Sequence, residues 1–393
     1  MFAVLTPIRK RAARLIALLS VAWLAACQPI VVPGGGGGPS IDTSAPVPVA
    51  LLVPRGSGQA NDELLAKSLE NAARLAAADL NGVQIDLRVY STAGNAAQAQ
   101  SAAKQAVADG AKIILGPVYG EAANAAGVAV ASQNVNVLTF SNNATIAGGN
   151  VFILGPTFNT TATRLASFAR RQGKSRILVV HSEDLAGQLG SRAIQQAVAA
   201  NGATLAGTVS YPFSQQGVVA AVPRIKAAAL AGQADALFLT ANTAGALPLF
   251  AQMLPETGLG PATTQYIGLT RWDIPPQTLE LPGLQGGWFA LPDPGKTQAF
   301  ATRYSAAHGT APHPIAGLAY DGVAAIGALV KAGKSNALSG AALTQGAGFQ
   351  GATGIFRLRP DGTNERGLAV ATIREKQVVV IDPAPNSFAG AGF

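Results

Sequence analysis

The chain has 393 residues, 28 Lys+Arg against 20 Asp+Glu, a formal net charge of +8 and only 12% charged residues. Four of the basic residues, Arg9, Lys10, Arg11 and Arg14, stand in the first 26 positions with no acid, which leaves 24 against 20, or +4, for the remainder. That mild excess, without a basic run after residue 27, excludes the clustered basic patch of a nucleic-acid binder, and one cysteine excludes an internal disulfide and a cysteine-ligated metal centre.

The basic head is followed by Leu15–Ala26, 12 residues that are apolar but for Ser20 and end in Leu24-Ala25-Ala26-Cys27. A membrane-spanning helix needs about 20 residues. A basic head, a short apolar core and small residues before a cut mark a secretory signal. With cysteine at the cut it resembles a bacterial lipoprotein signal, which implies that residues 1–26 are removed and that Cys27 carries the lipid. In such lipoproteins an aspartate after the cysteine favours the inner membrane. Gln28 therefore implies the periplasmic side of the outer membrane, with the inner membrane as the alternative. Residues 27–46 then read as a tether, because the run Pro33-Gly34-Gly35-Gly36-Gly37-Gly38-Pro39 cannot hold regular structure.

From Val47 onward, strands and helices alternate. Val47–Val53 is a short apolar run fit for a buried parallel strand. Residues 59–80 form a helix with Leu65, Leu69, Ala72, Ala73, Ala76 and Leu80 on one face. Strands follow at 83–89, 112–115, 135–140 and 151–154, with helices at 95–108, 120–132 and 159–172. The pattern restarts with strands at 176–181, 204–211, 235–240, 265–269 and 286–291. Its helices are 187–200, 218–231, 244–254, 297–308 and 315–332, and residues 353–381 read as three short strands. Strands separated by helices imply an α/β fold with parallel sheets covered on both faces, and the length implies two lobes.

No catalytic motif is present. Residues 346–351 match GxGxxG, but no strand precedes them, as a dinucleotide site requires. Neither Gly-Lys-Ser, at 173–175 or 333–335, has the earlier glycine of a phosphate loop. There are three histidines, no HExxH and no GxSxG. The polar residues gather instead where strands end, the positions at which open parallel sheets bind ligands. In the first half these ends carry Ser57, Tyr119, Ser141, Asn142 and Asn143, and in the second Glu183, Asp184, Asn242, Thr243, Arg271 and Trp272. Ser182 and Asp184, beside His181, suit a helix cap as well as a ligand contact. Loops of this kind make a binding crevice without an activated nucleophile. A non-enzymatic binding protein without metal or cofactor is expected.

The stretches Val49-Ala50-Leu51-Leu52-Val53-Pro54, Ile114-Leu115-Gly116-Pro117, Val137-Leu138-Thr139-Phe140-Ser141-Asn142 and Ala319-Tyr320-Asp321-Gly322 make residues 47–383 similar to type I periplasmic binding proteins of the leucine/isoleucine/valine class. The resemblance implies two α/β lobes with three hinge crossovers, expected near 155–158, 284–292 and 346–352. Residues 47–155 plus 290–345 would form the N-terminal lobe, 156–289 plus 346–383 the C-terminal lobe, and 384–393 a tail. It also adds Tyr320 to the cleft candidates. Within the class, Gly268-Leu269-Thr270-Arg271-Trp272-Asp273, Leu284-Gln285-Gly286-Gly287-Trp288-Phe289 and residues 354–362 resemble the lipoproteins called penicillin-binding protein activators. That resemblance implies a peptidoglycan synthase as partner. The alternative is a solute-binding lipoprotein of an ABC transporter, with a permease and an amino acid or other small polar ligand as partners. Ser141 and Asn142 match the carboxylate-gripping loop of amino-acid binders. The tyrosine-glycine after Asp184 is missing, and Arg271 stands where an acid would meet the ammonium group.

Overall fold

A computed structural model describes residues 38–388; the expected export signal, Cys27 and most of the glycine run lie outside them. The first lobe opens with β1 (Val47–Val53), α1 (Ala60–Asp79), β2 (Ile85–Ser91), α2 (Ala96–Ala108), β3 (Ile113–Leu115), α3 (Gly120–Val130), β4 (Asn136–Thr139) and β5 (Val151–Ile153). These strands form one parallel sheet in the order β2-β1-β3-β4-β5. Because side chains alternate across a strand, β1 feeds two cores. Val49, Leu51 and Val53 pack with Leu65 and Leu69 of α1, while Ala50 and Leu52 pack with the alanine faces of α2 and α3. Burial on both faces is why β1 is apolar throughout.

The second lobe holds α4 (Phe158–Arg171), β6 (Arg176–Ser182), α5 (Leu185–Ala200), β7 (Thr204–Tyr211), α6 (Gln215–Ala231), β8 (Ala236–Leu239), α7 (Leu247–Glu256), β9 (Gln265–Gly268) and β10 (Trp288–Pro292). β14 (Leu368–Arg374) and β15 (Gln377–Asp382) complete a seven-stranded sheet in the order β15-β14-β10-β9-β8-β6-β7. The strands from β6 to β10 are parallel to one another, and β14 and β15 add antiparallel. Again one strand serves two cores: Leu178 and Val180 face one helix layer, Ile177 and Val179 the other.

Between β10 and β14 the chain returns to the first lobe as α8 (Pro294–His308), α9 (Gly317–Lys331), the short α10 (Gly340–Leu343) and a three-stranded antiparallel sheet. That sheet is β11 (Phe349–Gly351), β12 (Gly354–Leu358) and β13 (Asn364–Arg366). Its Phe349, Phe356 and Leu358 bury in the same core as α1 and α9.

Three expected boundaries change. The second crossing lies at Asp293, not within 284–292, because β10 continues its pairing through Pro292, opposite Leu368. The third lies at Gly367, not at 346–352, because residues 349–358 bury their aromatic side chains in the first lobe. Thus 288–292 belong to the second lobe and 346–366 to the first. The tether also ends earlier than residue 46: Ile41 is buried and its N–H donates to the Ser335 carbonyl at 2.9 Å. In the expected tail, Arg357 lies over the Phe388 ring at 4.5 Å.

The crossings are bound together at one buried charge pair. Asp321 of α9 is 0% exposed and pairs with Arg366 of β13. The same guanidinium donates to the Leu154 carbonyl at 2.7 Å and to Thr353 Oγ1 at 2.9 Å. Asp321 Oδ1 accepts the Ala352 N–H at 2.7 Å, and the Thr353 carbonyl accepts the Asp293 N–H at 3.0 Å. Removing one partner strands a buried charge, at a cost of about 3–5 kcal/mol. Asp321→Ala is therefore expected to lose that much stability in urea unfolding. A loss under about 1 kcal/mol, as for an exposed pair, would show that the pair does not hold the crossings.

Candidate functional site: the crevice at the strand ends

Topology makes the two sheets share one crevice. β5 ends at Ile153 and runs straight into the first crossing, and β10 ends at Pro292 and runs into the second. β14, antiparallel to β10, begins at Leu368 opposite Pro292. All three crossings thus occupy the carboxyl edges of both sets of parallel strands, and the loops beyond those edges border the space between the lobes.

In the first lobe four candidates converge. A Cβ on Gly94 would stand 3.3 Å from the Tyr119 ring and 3.6 Å from Ser57 Cβ, and one on Gly120 would stand 3.1 Å from Asn143 Nδ2 and 3.7 Å from Ser141 Oγ. Ser141 is buried, its N–H bonded to Thr139 Oγ1 at 3.1 Å. Its hydroxyl accepts the Asn143 N–H at 3.1 Å and keeps its proton available to a ligand. Asn143 caps the short turn that follows, accepting from Thr145 N at 3.0 Å. Asn142 is exposed. Ser57 Oγ accepts from Gln59 N at 3.1 Å. Tyr119 donates its hydroxyl to Asp62, which with burial pushes the phenol up to about 12.

The second-lobe candidates fall into two groups. Thr243 Oγ1 donates to the Ile274 carbonyl at 2.7 Å, and Asn242 lies beside Gly245, whose own neighbour is the Phe213 ring. Apolar side chains are exposed along this edge at Leu185, Phe213 and Ile274. The acids already have partners. Asp184 caps α5, accepting the Gly187 N–H at 2.9 Å and the Ser182 hydroxyl at 2.6 Å. Glu183 accepts from Ser210 Oγ at 3.0 Å. Arg271 is gripped by Asp273 on its own loop, Nε to Oδ1 at 2.9 Å, so the two charges largely cancel there.

Two candidates do not belong to the crevice. Trp272 is 0% exposed and packs against Phe289, ring centroids 6.2 Å apart. Gly268 makes the room, since a Cβ there would come within 2.2 Å of the indole. An apolar body that large in a loop beside a core strand buries because burial is worth more than exposure. Tyr320 commits its hydroxyl elsewhere, donating at 2.7 Å to Asp79, the last residue of α1. A polar cavity of about 230 Å³ at the lobe junction is lined by Thr157, Thr160, Arg164, Asn364 and Arg366 among others, and by none of the candidates. Among the described residues there is no group of three or more His, Cys, Asp or Glu placed to hold a metal ion.

Two α/β lobes with three crossings and a polar crevice define a bilobal binding protein. The chain belongs to the periplasmic binding proteins: the family described as "Periplasmic binding protein" matches residues 46–377. No curated protein matches. Among solved structures, a protein described as a branched-chain amino acid ABC transporter from Rhodospirillum rubrum is 19% identical, with a TM-score of 0.72 over 86% of this chain and 100% of that one. An ABC transporter substrate-binding protein from Desulfitobacterium hafniense, in complex with Leu, is 18% identical, TM-score 0.63, over 86% and 100%. A solute-binding protein from Rhodopseudomonas palustris, in complex with 3,4-dihydroxybenzoic acid, is 18% identical, TM-score 0.58, over 86% and 98%. These likenesses establish the type I fold.

The Tyr119–Asp62 contact is testable directly. Asp62→Asn removes the charged acceptor, so the phenol should ionise at lower pH, toward its ordinary value of about 10. Ultraviolet difference titration of the variant against the parent reads this, and an unmoved transition would show that Asp62 does not hold Tyr119.

Proposed function

We propose that this chain is a solute-binding protein of the ABC-transporter type. It holds a small polar molecule between its lobes and presents it to a permease. The observation that carries this reading is the convergence of Ser57, Tyr119, Ser141 and Asn143 at the carboxyl edge of the first sheet, across the crossings from the second-lobe loops. Family membership and the solved structures support it. Cys27 carries the lipid that holds the folded body at the membrane surface. Ser141 and Asn142 are the first-lobe contacts for an acidic group on the ligand.

A second reading is favoured by one observation. Glu183, Asp184 and Asp273 each have a partner inside the protein, so none of these three strand-end acids is left uncommitted for an ammonium group. A buried charge without a partner costs several kcal/mol. On this reading the crevice has lost amino-acid binding and the protein stimulates a peptidoglycan synthase from the outer membrane.

Thermal unfolding of the mature chain against a library of amino acids, organic acids and sugars separates the two. A ligand at 100 times its Kd stabilises by about 2.7 kcal/mol, a readable rise in Tm. The solute reading predicts at least one such ligand, lost in the Ser141→Ala/Asn142→Ala double variant, with leucine, isoleucine and valine giving no micromolar binding. Silence across the library, with a glycosyltransferase–transpeptidase co-purifying from detergent extracts, would replace it by the second reading. For the anchor, Cys27→Ala should move the protein from the membrane to the soluble fraction, because each buried CH₂ of an acyl chain contributes about 0.8 kcal/mol. A variant that stays with membranes would contradict lipidation at Cys27.

A further inference from the structure

We infer that Asn364 and Arg366 are positioning residues that couple the Ser141 loop to the hinge, so that lobe rotation and the state of that loop change together. This does not depend on which solute the crevice takes. Three consecutive carbonyls, from the end of β5 into the first crossing, are gripped from β13, which leads into the third. The Asn364 amide donates to the Ile153 and Gly155 carbonyls, each at 2.8 Å, and Arg366 donates to the Leu154 carbonyl between them at 2.7 Å. Asn364 is 4% exposed and Arg366 6%, so water does not compete for these bonds. Ile153 N–H in turn donates to the Gly362 carbonyl at 2.8 Å. The first crossing and β13 therefore move as one piece.

That piece bears directly on the candidate loop. Gly155 lies so close to it that a Cβ would stand 2.5 Å from the Ser141 carbonyl oxygen and 2.9 Å from that of Phe140. No side chain cushions the contact, so a displacement of Gly155 is passed to the backbone of Ser141. On the other side, Thr160 of α4, in the second lobe, donates to the Asn364 carbonyl at 3.1 Å. A continuous chain of contacts thus runs from Ser141 through Gly155 and Asn364 to Thr160. Coupling between two sites is reciprocal in free energy, so the linkage acts from either end. The second lobe has its own anchor: buried Arg164 of α4 donates to the Leu368 carbonyl at 2.7 Å and pairs with Asp382 at 2.8 Å. Between the two anchors the third crossing is the single residue Gly367, a natural pivot.

The test uses the mature chain with Cys27→Ser and spin labels on Lys104→Cys of α2 and Lys226→Cys of α6, both exposed. Pulsed dipolar spectroscopy reads the inter-lobe distance distribution, and hydrogen exchange reads residues 140–146. Asn364→Ala is expected at least to double the width of the distribution and to speed exchange in 140–146 about tenfold, leaving the β9 amides unchanged. Gly155→Ala, made at the loop end, should shift the same distribution. A purely structural role would lower Tm without moving either readout selectively. Folded variants with the parent's distribution and exchange would overturn the inference. Should both fail to fold, Thr160→Val decides it: a widened distribution supports the linkage, and the parent's distribution overturns it.

Discussion

The contact between Asp321 and Arg366 is the constraint from which the rest of the molecule follows. Two lobes with separate cores are joined through thin crossings, and a crossing has little apolar surface with which to hold itself. One buried guanidinium supplies what packing cannot. Its fork reaches the Asp321 carboxylate, the Leu154 carbonyl and Thr353 at once, a geometry that a lysine ammonium on a single stem does not reproduce. Burial pushes the Asp321 carboxyl up from its ordinary range, and Arg366, the Ala352 N–H and Thr353 oppose that push. With all three crossings fastened at the carboxyl edges of both sheets, the crevice lies where the strand-end loops already stand.

Much of the architecture was legible in the sequence because its signals are local. The apolar run of β1 and the spacing of Leu65, Leu69, Ala72 and Ala73 on α1 each report burial at their own position. The lobe boundaries were harder, because they depend on pairing between distant segments. Nothing in Trp288–Pro292 alone says that it continues a sheet with Leu368–Thr372. Nor do Phe349 and Phe356 announce that they bury against α1 and α9. The stretch 353–381, expected as three strands, holds four, since β13 has three residues and carries almost no periodicity.

The site was legible in outline and misread in detail for the same reason. Strand ends are visible in sequence, so the gathering of Ser57, Tyr119, Ser141 and Asn143 at one sheet edge could be anticipated. What a polar residue does there depends on neighbours the sequence does not order. Asp184 proved to be a helix cap, which its Ser182 neighbour had left open. Arg271 met Asp273, two residues away, and the pair closed on itself. Trp272 looked like a cleft aromatic and is core, a difference that turns on the space Gly268 leaves. Asn364 carried no signal at all, because its partners are carbonyls about 210 residues away, at positions 153 and 155.

The central claim is that the crevice between these lobes holds one small molecule. Native mass spectrometry of the mature protein, purified gently after export into the periplasm, tests it most directly. The account predicts a single adduct of small-molecule mass that dissociates on mild activation and is absent from the Ser141→Ala/Asn142→Ala variant. A bare protein mass under every condition, or an adduct indifferent to those two substitutions, would contradict it.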